Sequence, residues 1–245
     1  MIFFKKKKPS LASFIPDEFA DIHSHILPGL DDGSKSFAET VELIHTMKTL
    51  GFGPITTTPH VIANLWNNTP EKINEVTEKV KQHLNEINLT IPLHTAAEYM
   101  MDASFFQNIH SEKLLTVKDF YVLVEMSYLA PPAQLYDLIY EVQVAGYKPI
   151  LAHPERYLFY YSRFEEYKKL KKAGCLFQLN LLSTTGYYGE IVSKQAQKLL
   201  ENDFIDFVGS DIHHQKHAQA FYNPITIKAI EPLELAFQNN QLFKF

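Results

Sequence analysis

The chain has 245 residues, 46% hydrophobic and 21% charged, the balance of a globular protein with room for a large core. A formal charge of −5 excludes a broadly basic nucleic-acid binder, and no run approaches the ~18 uncharged apolar residues of a membrane span. The single cysteine, Cys175, excludes an internal disulfide framework and a thiolate zinc cluster, and fits a reducing cytoplasm.

The opening Met1-Ile2-Phe3-Phe4-Lys5-Lys6-Lys7-Lys8-Pro9 puts two Phe before the lysines, the reverse of a secretory signal. Residues 1–17 read as a flexible basic tail, with a weak electrostatic tether to an anionic membrane as the sharper alternative. From residue 18 onward one pattern repeats: a short β-branched or aromatic run, a polar cluster, then an amphipathic helical stretch. Strands are expected at 19–25, 55–60, 93–99, 121–127, 149–153, 176–180 and 206–211. Helices are expected near 36–50, 70–88, 132–145, 162–173 and 190–202, with a short one near 103–110. Ser36 with Glu39 forms a capping box, and Thr69-Pro70 is an N-cap followed by a first-turn proline. Gly51, Gly146 and Gly174 each stand just before a strand, where a left-handed residue ends the preceding helix. The apolar segment 223–245 reads as a final packed helix or a subunit contact, which leaves a homo-oligomer open. Seven strands alternating with helices predict one domain over 18–245: a parallel sheet, helices outside it, closed or nearly closed into a barrel.

In such a barrel the chemistry sits at the carboxyl ends of the strands. There the sequence places His23-Ser24-His25 with Asp31-Asp32-Gly33 in the following loop, then Thr58-Pro59-His60, Glu98, Glu125, His153-Pro154-Glu155-Arg156, and Asp211-Ile212-His213-His214. Six of the seven strands deliver a His, Asp or Glu to one rim. A lone strand-end His is usually structural, but independent structural residues have no reason to converge. Glu125, inside Val122-Leu123-Val124-Glu125-Met126, is a carboxylate that burial forces to be paired or coordinated.

The candidate ligands are His23, His25, Asp32, His60, Glu98, Glu125, His153, Asp211 and His213, too many for one ion and suited to two or three with carboxylate bridges. Imidazole and carboxylate without thiolate favour Mn, Fe or Zn. Three divalent ions would outweigh four carboxylates, so the filled site attracts an anion such as a phosphate ester. Arg156 offers a bidentate grip on that phosphate. Turnover should depend on His153, Asp211 and Arg156.

Taken together, His23-x-His25, Asp31-Asp32-Gly33, Thr58-Pro59-His60, Glu98, Glu125, Ala152-His153-Pro154-Glu155-Arg156-Tyr157 and Ser210-Asp211-Ile212-His213 resemble the PHP (polymerase and histidinol phosphatase) superfamily. Within it they resemble most the bacterial manganese-dependent tyrosine phosphatases encoded with capsule and exopolysaccharide genes. The resemblance implies a distorted (β/α)7 barrel with three metal ions, manganese first. His23, His25, Glu98 and Asp211 would hold one ion. Glu98 would bridge to a second with Glu125 and His153, and Asp32, His60 and His213 would hold a third. Arg156 would bind phosphate, and hydroxide activated by the metals would attack phosphotyrosine on a cognate bacterial tyrosine kinase. The family often carries a second arginine after the last Asp-x-His. Here that stretch is His214-Gln215-Lys216-His217, so Lys216 supplies charge for substrate binding without the fork geometry of arginine.

A cysteine-dependent phosphatase needs an arginine six residues after its thiolate, where this chain has Leu181, and Cys175 reads as a small core residue. Two rivals stay open. The same metal site would serve a small molecule such as histidinol phosphate, with Tyr157, Phe159, Tyr160, Tyr161, Tyr187 and Tyr188 as pocket walls or as packing. A non-catalytic binding module is the other, although such domains usually lose ligands and all nine positions are filled here.

Overall fold

In chain order the elements are β1 (Phe19–Asp21), α1 (Phe37–Thr49), β2 (Phe52–Thr57), β3 (His60–Val61), α2 (Pro70–Glu86), β4 (Leu93–Thr95), β5 (Glu98–Met100), α3 (Ala103–Asn108), β6 (Tyr121–Glu125), α4 (Leu135–Val144), β7 (Lys148–Ala152), α5 (Glu165–Lys172), β8 (Leu176–Asn180), α6 (Glu190–Glu201), β9 (Phe207–Gly209), α7 (Gln215–Ala220) and α8 (Ile230–Asn239). They come from a computed structural model that describes residues 8–111 and 113–245. The helix signals act as read. Ser36 accepts from the Glu39 amide and Thr69 from the Lys72 amide, while Gly51, Gly146 and Gly174 take φ of 100°, 88° and 87°.

Pairing between strands is parallel, in the orders β1-β2-β4 and β3-β5-β6-β7-β8-β9. The expected strands 55–60 and 93–99 are each broken in two, because Pro59 has no amide to donate and the chain bends there. Pairing still crosses the break: Ala96 N donates to Thr57 O at 2.9 Å and Glu98 N to Pro59 O at 3.1 Å. The two sheets are therefore one curved surface.

The seam between β9 and β1 distorts the ring. At its carboxyl end, Asp211 N donates to His23 O (2.7 Å) and His25 N to Ile212 O (2.9 Å). Toward the amino end a side chain replaces the ladder. Asn240 Nδ2 donates to Ala20 O and Val208 O, and Asn240 Oδ1 accepts from Val208 N. Asp21 adds a third stitch by accepting from both Ser210 N and Ser210 Oγ.

Side-chain alternation divides the core. Ala20, Leu123, Ile150, Ala152 and Phe207 belong to a small cluster, whereas Val122, Val124, Leu151 and Val208 belong to a larger one with the helices. Leu123 and Glu125 share a face, so the register that sends Leu123 inward brings Glu125 to the carboxyl rim.

Residues 1–7 of the expected tail lie outside the described residues, and the rest corrects that expectation. Ser10 bridges Pro224, Leu11 N donates to Asn223 O (3.0 Å), Ala12 N donates to Phe221 O (2.8 Å), and Leu11 is fully buried. With Ile225 N donating to Pro9 O (3.0 Å), three backbone bonds dock this segment, and Ala12, Phe14 and Ile15 pack on the core beside Leu11. The segment 223–245 takes its packed form, with Leu233, Ala236 and Phe237 of α8 buried. Among the described residues no helix is long and apolar enough to cross a membrane.

Replacing Asn240 with Ala leaves three buried backbone groups without partners, so it should destabilise the fold by at least about 2 kcal/mol in urea denaturation. A loss below about 0.5 kcal/mol would show that the seam does not depend on this side chain.

Candidate metal centre

The nine expected ligands come together. Glu98 opens β5 with no exposed surface. Its Oε2 lies 3.2 Å from His23 Nε2, 3.3 Å from His25 Nε2 and 3.1 Å from His60 Nδ1, and its Oε1 lies 3.0 Å from His153 Nε2. Asp211 Oδ1 lies 3.2 Å from His23 Nε2 and 3.4 Å from His25 Nε2. His60, His25, His213 and Asp32 form a further group, with Asp32 Oδ1 3.4 Å from His213 Nε2 and 3.6 Å from His60 Nε2. His60 faces two ways, since its Nδ1 also lies 2.9 Å from Glu125 Oε1. The potential ligand groups overlap at His23, His25, His60 and Glu98, as a multinuclear centre requires.

The local backbone is bent to make this possible. His153 and Asp211 both adopt left-handed φ, 38° and 51°, at about 1 kcal/mol or more each. They are held there by His153 N donating to Gln178 O and Asp211 N to His23 O. Gly33 lets the Asp31-Asp32 loop close on the first strand, since a β-carbon there would lie 2.0 Å from His25 O.

A surrounding set of hydrogen bonds turns the imidazoles. Gln178 donates from Nε2 to Leu179 O, leaving Oε1 to accept from His23 Nδ1 at 2.8 Å. Asp31 accepts from His25 Nδ1 at 2.8 Å and from Gly33 N. Both histidines thereby aim Nε2 at Glu98 and Asp211. Glu155, fully buried, accepts from Asn180 N and Ser183 Oγ, while Asn180 Nδ2 donates to Asp211 Oδ2 at 2.7 Å. Of these supports, Asp31 and Glu155 stood inside quoted motifs; Gln178, mid-strand in β8, and Asn180, the last residue of β8, stood in none.

The residues fit divalent cations on two observations. Buried His60 Nδ1, Glu125 Oε1 and His153 Nδ1 have no hydrogen-bond partner among the described residues, although the first two lie 2.9 Å apart. His23 Nε2 and His25 Nε2 also face each other at 3.1 Å, where a proton or a cation must sit between them. The electrostatics agree. Burial alone would lower the His23 pKa, but Glu98 and Asp211 overcome it and raise it to about 10. Burial works against the Glu98 and Asp211 carboxylates, yet the imidazoles hold both well below the usual range. Burial and Glu98 push Glu125 up to about 6, and burial lowers His153 to about 4, its neutral, ligating form.

Above these side chains opens a cavity of about 590 Å³. Arg156 lines it, with Nη1 donating to Asp211 Oδ2 at 2.9 Å and the guanidinium between the rings of Tyr128 (4.9 Å) and Tyr188 (4.3 Å). Lys216 does not join it. It is exposed on α7 and lines a neighbouring cleft with Lys35, Glu39 and Glu42, whereas His217 of the same helix lines the cavity, and Asp32 and His214 line both. Of the expected aromatic walls Tyr188 lines the cavity, whereas Tyr157 is buried with its hydroxyl accepting from Met126 N. Trp66 and Tyr128 line it and were missed, although each follows a rim residue closely, His60 and Glu125. Cys175 is buried, its thiol pushed up to about 12 by that burial, and lies outside the cavity lining.

Because the carboxylates hold protons on His23, His25 and His60 near neutrality, cation binding at pH 7 must expel them. Calorimetric titration of stripped protein with Mn in buffers of different ionisation enthalpy should show proton release, and affinity should rise with pH. Binding with no proton release would contradict this charge balance.

Residues 19–227 match the family described as "Capsular polysaccharide synthesis, CpsB/CapC". The tyrosine-protein phosphatase YwqE of Bacillus subtilis is 29% identical over 239 residues, 91% of this chain and 93% of that protein. The putative tyrosine-protein phosphatase CapC of Staphylococcus aureus is 28% identical over 91% of this chain and 89% of its own. A solved chain described among YwqE from B. subtilis and CpsB from Streptococcus pneumoniae, metal-dependent tyrosine phosphatases, superposes with a TM-score of 0.76 at 28% identity, covering 82% of this chain and 84% of that one. A histidinol phosphate phosphatase from Lactococcus lactis shares the fold at a TM-score of 0.51 and 14% identity. The chain belongs to the CpsB/CapC family of capsular polysaccharide synthesis proteins.

Proposed function

We propose that this chain is a metal-dependent protein-tyrosine phosphatase that removes phosphate from a bacterial tyrosine kinase linked to capsule or exopolysaccharide synthesis in the cytoplasm. The observation that carries the reading is the convergence of nine imidazole and carboxylate side chains around buried Glu98, beneath a cavity walled by Arg156. The names of its family relatives support phosphotyrosine over a small phosphomonoester.

His23, His25, Glu98 and Asp211 would hold one ion, Glu98, Glu125 and His153 a second, and Asp32, His60 and His213 a third. Mn comes first and Fe or Zn next, from the thiolate-free donor set. When bound, such ions supply Lewis acidity toward the phosphoryl group and a water ionised near neutral pH. The chain's own residues do the rest. Arg156 spends one Nη on Asp211 and keeps further N–H donors for the phosphate oxygens, its plane fixed between Tyr128 and Tyr188. Asn180 holds the same Asp211 oxygen, so ligand and phosphate grip share one anchor.

Replacing His153 or Asp211 with Ala should lower turnover of phosphotyrosine peptide by about 10² or more with the fold retained. Arg156→Ala should cost about 10- to 100-fold in kcat/KM with metal content intact, and Arg156→Lys should recover little, because the fork and the stacking are both lost. Wild-type rates in any of these variants, or faster cleavage of histidinol phosphate than of phosphotyrosine peptide by the wild type, would overturn the reading.

A further inference from the structure

The cavity has two unlike sectors. Arg156, His214, His217 and the ligands make one side charged or polar, while Ile62, Trp66, Met100 and Leu129 give another side that offers a phosphate nothing. Leu129 is 91% exposed, an apolar side chain left in water at the mouth.

Trp66 is fixed in this sector by its local chain. Ile62 and Trp66 exchange backbone hydrogen bonds across a tight turn, with Asn64 at φ 63°. Buried Asn68 ties the turn to the ligand loops by donating from Nδ2 to His60 O (2.8 Å) and Leu30 O (2.9 Å). The indole stacks on the His60 imidazole, centroids 4.8 Å apart and planes within 11°. Tyr128 stands similarly on His153 (5.7 Å, 30°), but it also stacks against the Arg156 guanidinium.

We infer that Trp66 is the specificity-determining residue of this site, the apolar wall that makes it prefer aryl to alkyl phosphomonoesters. The inference rests on the phosphatase reading above. A phosphoryl group seated at the ligands and Arg156 leaves its organic substituent beside this wall. A phenyl ring covers the indole and its apolar neighbours, whereas the short alkyl stem of phosphoserine leaves them wet. Because His60 lies under the indole, the test must separate contact with substrate from support of a ligand.

Trp66 is the only tryptophan of the chain, so its fluorescence reports on the wall in the unmodified holoenzyme. At saturating concentration, phenylphosphonate should quench or shift that emission and methylphosphonate should leave it near the unliganded level; equal responses would overturn the inference. In parallel, kcat/KM is measured on one peptide carrying phosphotyrosine or phosphoserine for the wild type, Trp66→Phe and Trp66→Ala, with metal content determined for each. Trp66→Ala should reduce the aryl-to-alkyl ratio about tenfold, mainly through KM for the aryl substrate, and Trp66→Phe should restore most of it. An unchanged ratio, or an equal loss on both substrates with lowered metal content, would overturn the specificity role and leave the phosphatase reading standing. A wild type that cleaves neither peptide would remove the reading itself.

Discussion

Glu98 lies with no exposed surface at the carboxyl end of the barrel, and four imidazole nitrogens stand within 3.3 Å of its two oxygens. A carboxylate taken out of water is costly unless charge and hydrogen bonds replace its hydration. Here the replacement comes from three segments that are distant in sequence, at His23 and His25, at His60 and at His153. Every other feature of the rim follows from holding those rings at that oxygen pair: the Gln178 and Asp31 acceptors behind His23 and His25, the absence of a β-carbon at Gly33, and the left-handed turn at His153.

The barrel supplies this geometry at a cost visible at its seam. Between β9 and β1 a regular ladder is replaced by Asn240, Asp21 and the crossing bonds at His23 and His25. That seam carries His23, His25, Asp211 and His213, four of the nine candidate ligands. Burial pushes the Asp21 carboxyl up to about 7, against the Ser210 hydrogen bonds that favour its charged form. The contacts that close the ring thus also position these four residues of the site.

Much of this was legible in the sequence because the signals are local. His-x-His, Asp-Asp-Gly, the strand-end carboxylates and three helix-stopping glycines each declare themselves within a few residues, and the alternation of strand and helix places them on one rim. What escaped depends on long-range contact. Gln178 meets His23 across 155 residues and Asn240 meets Ala20 across 220, so neither amide has a local reason to be where it is. Trp66 and Tyr128 lie in loops whose course is set by tertiary contacts such as Asn68 with Leu30. Lys216 shows the limit of reading charge alone: it stands in a neighbouring cleft that shares Asp32 and His214 with the cavity. Residues 9–15 are docked because buried Leu11 and its partly buried neighbours Ala12, Phe14 and Ile15, with three backbone bonds to 221–225, outweigh a composition that looks disordered.

The most direct test of the account is hydrolysis of a phosphotyrosine peptide by metal-stripped, folded protein, with Mn, Fe, Zn or Mg added back and bound metal counted. The account predicts negligible activity without metal, recovery with a transition metal, Mn foremost, and two or three ions per chain at full activity. Full activity in the stripped protein, or a protein that binds its ions and stays silent with every one of them, would contradict it.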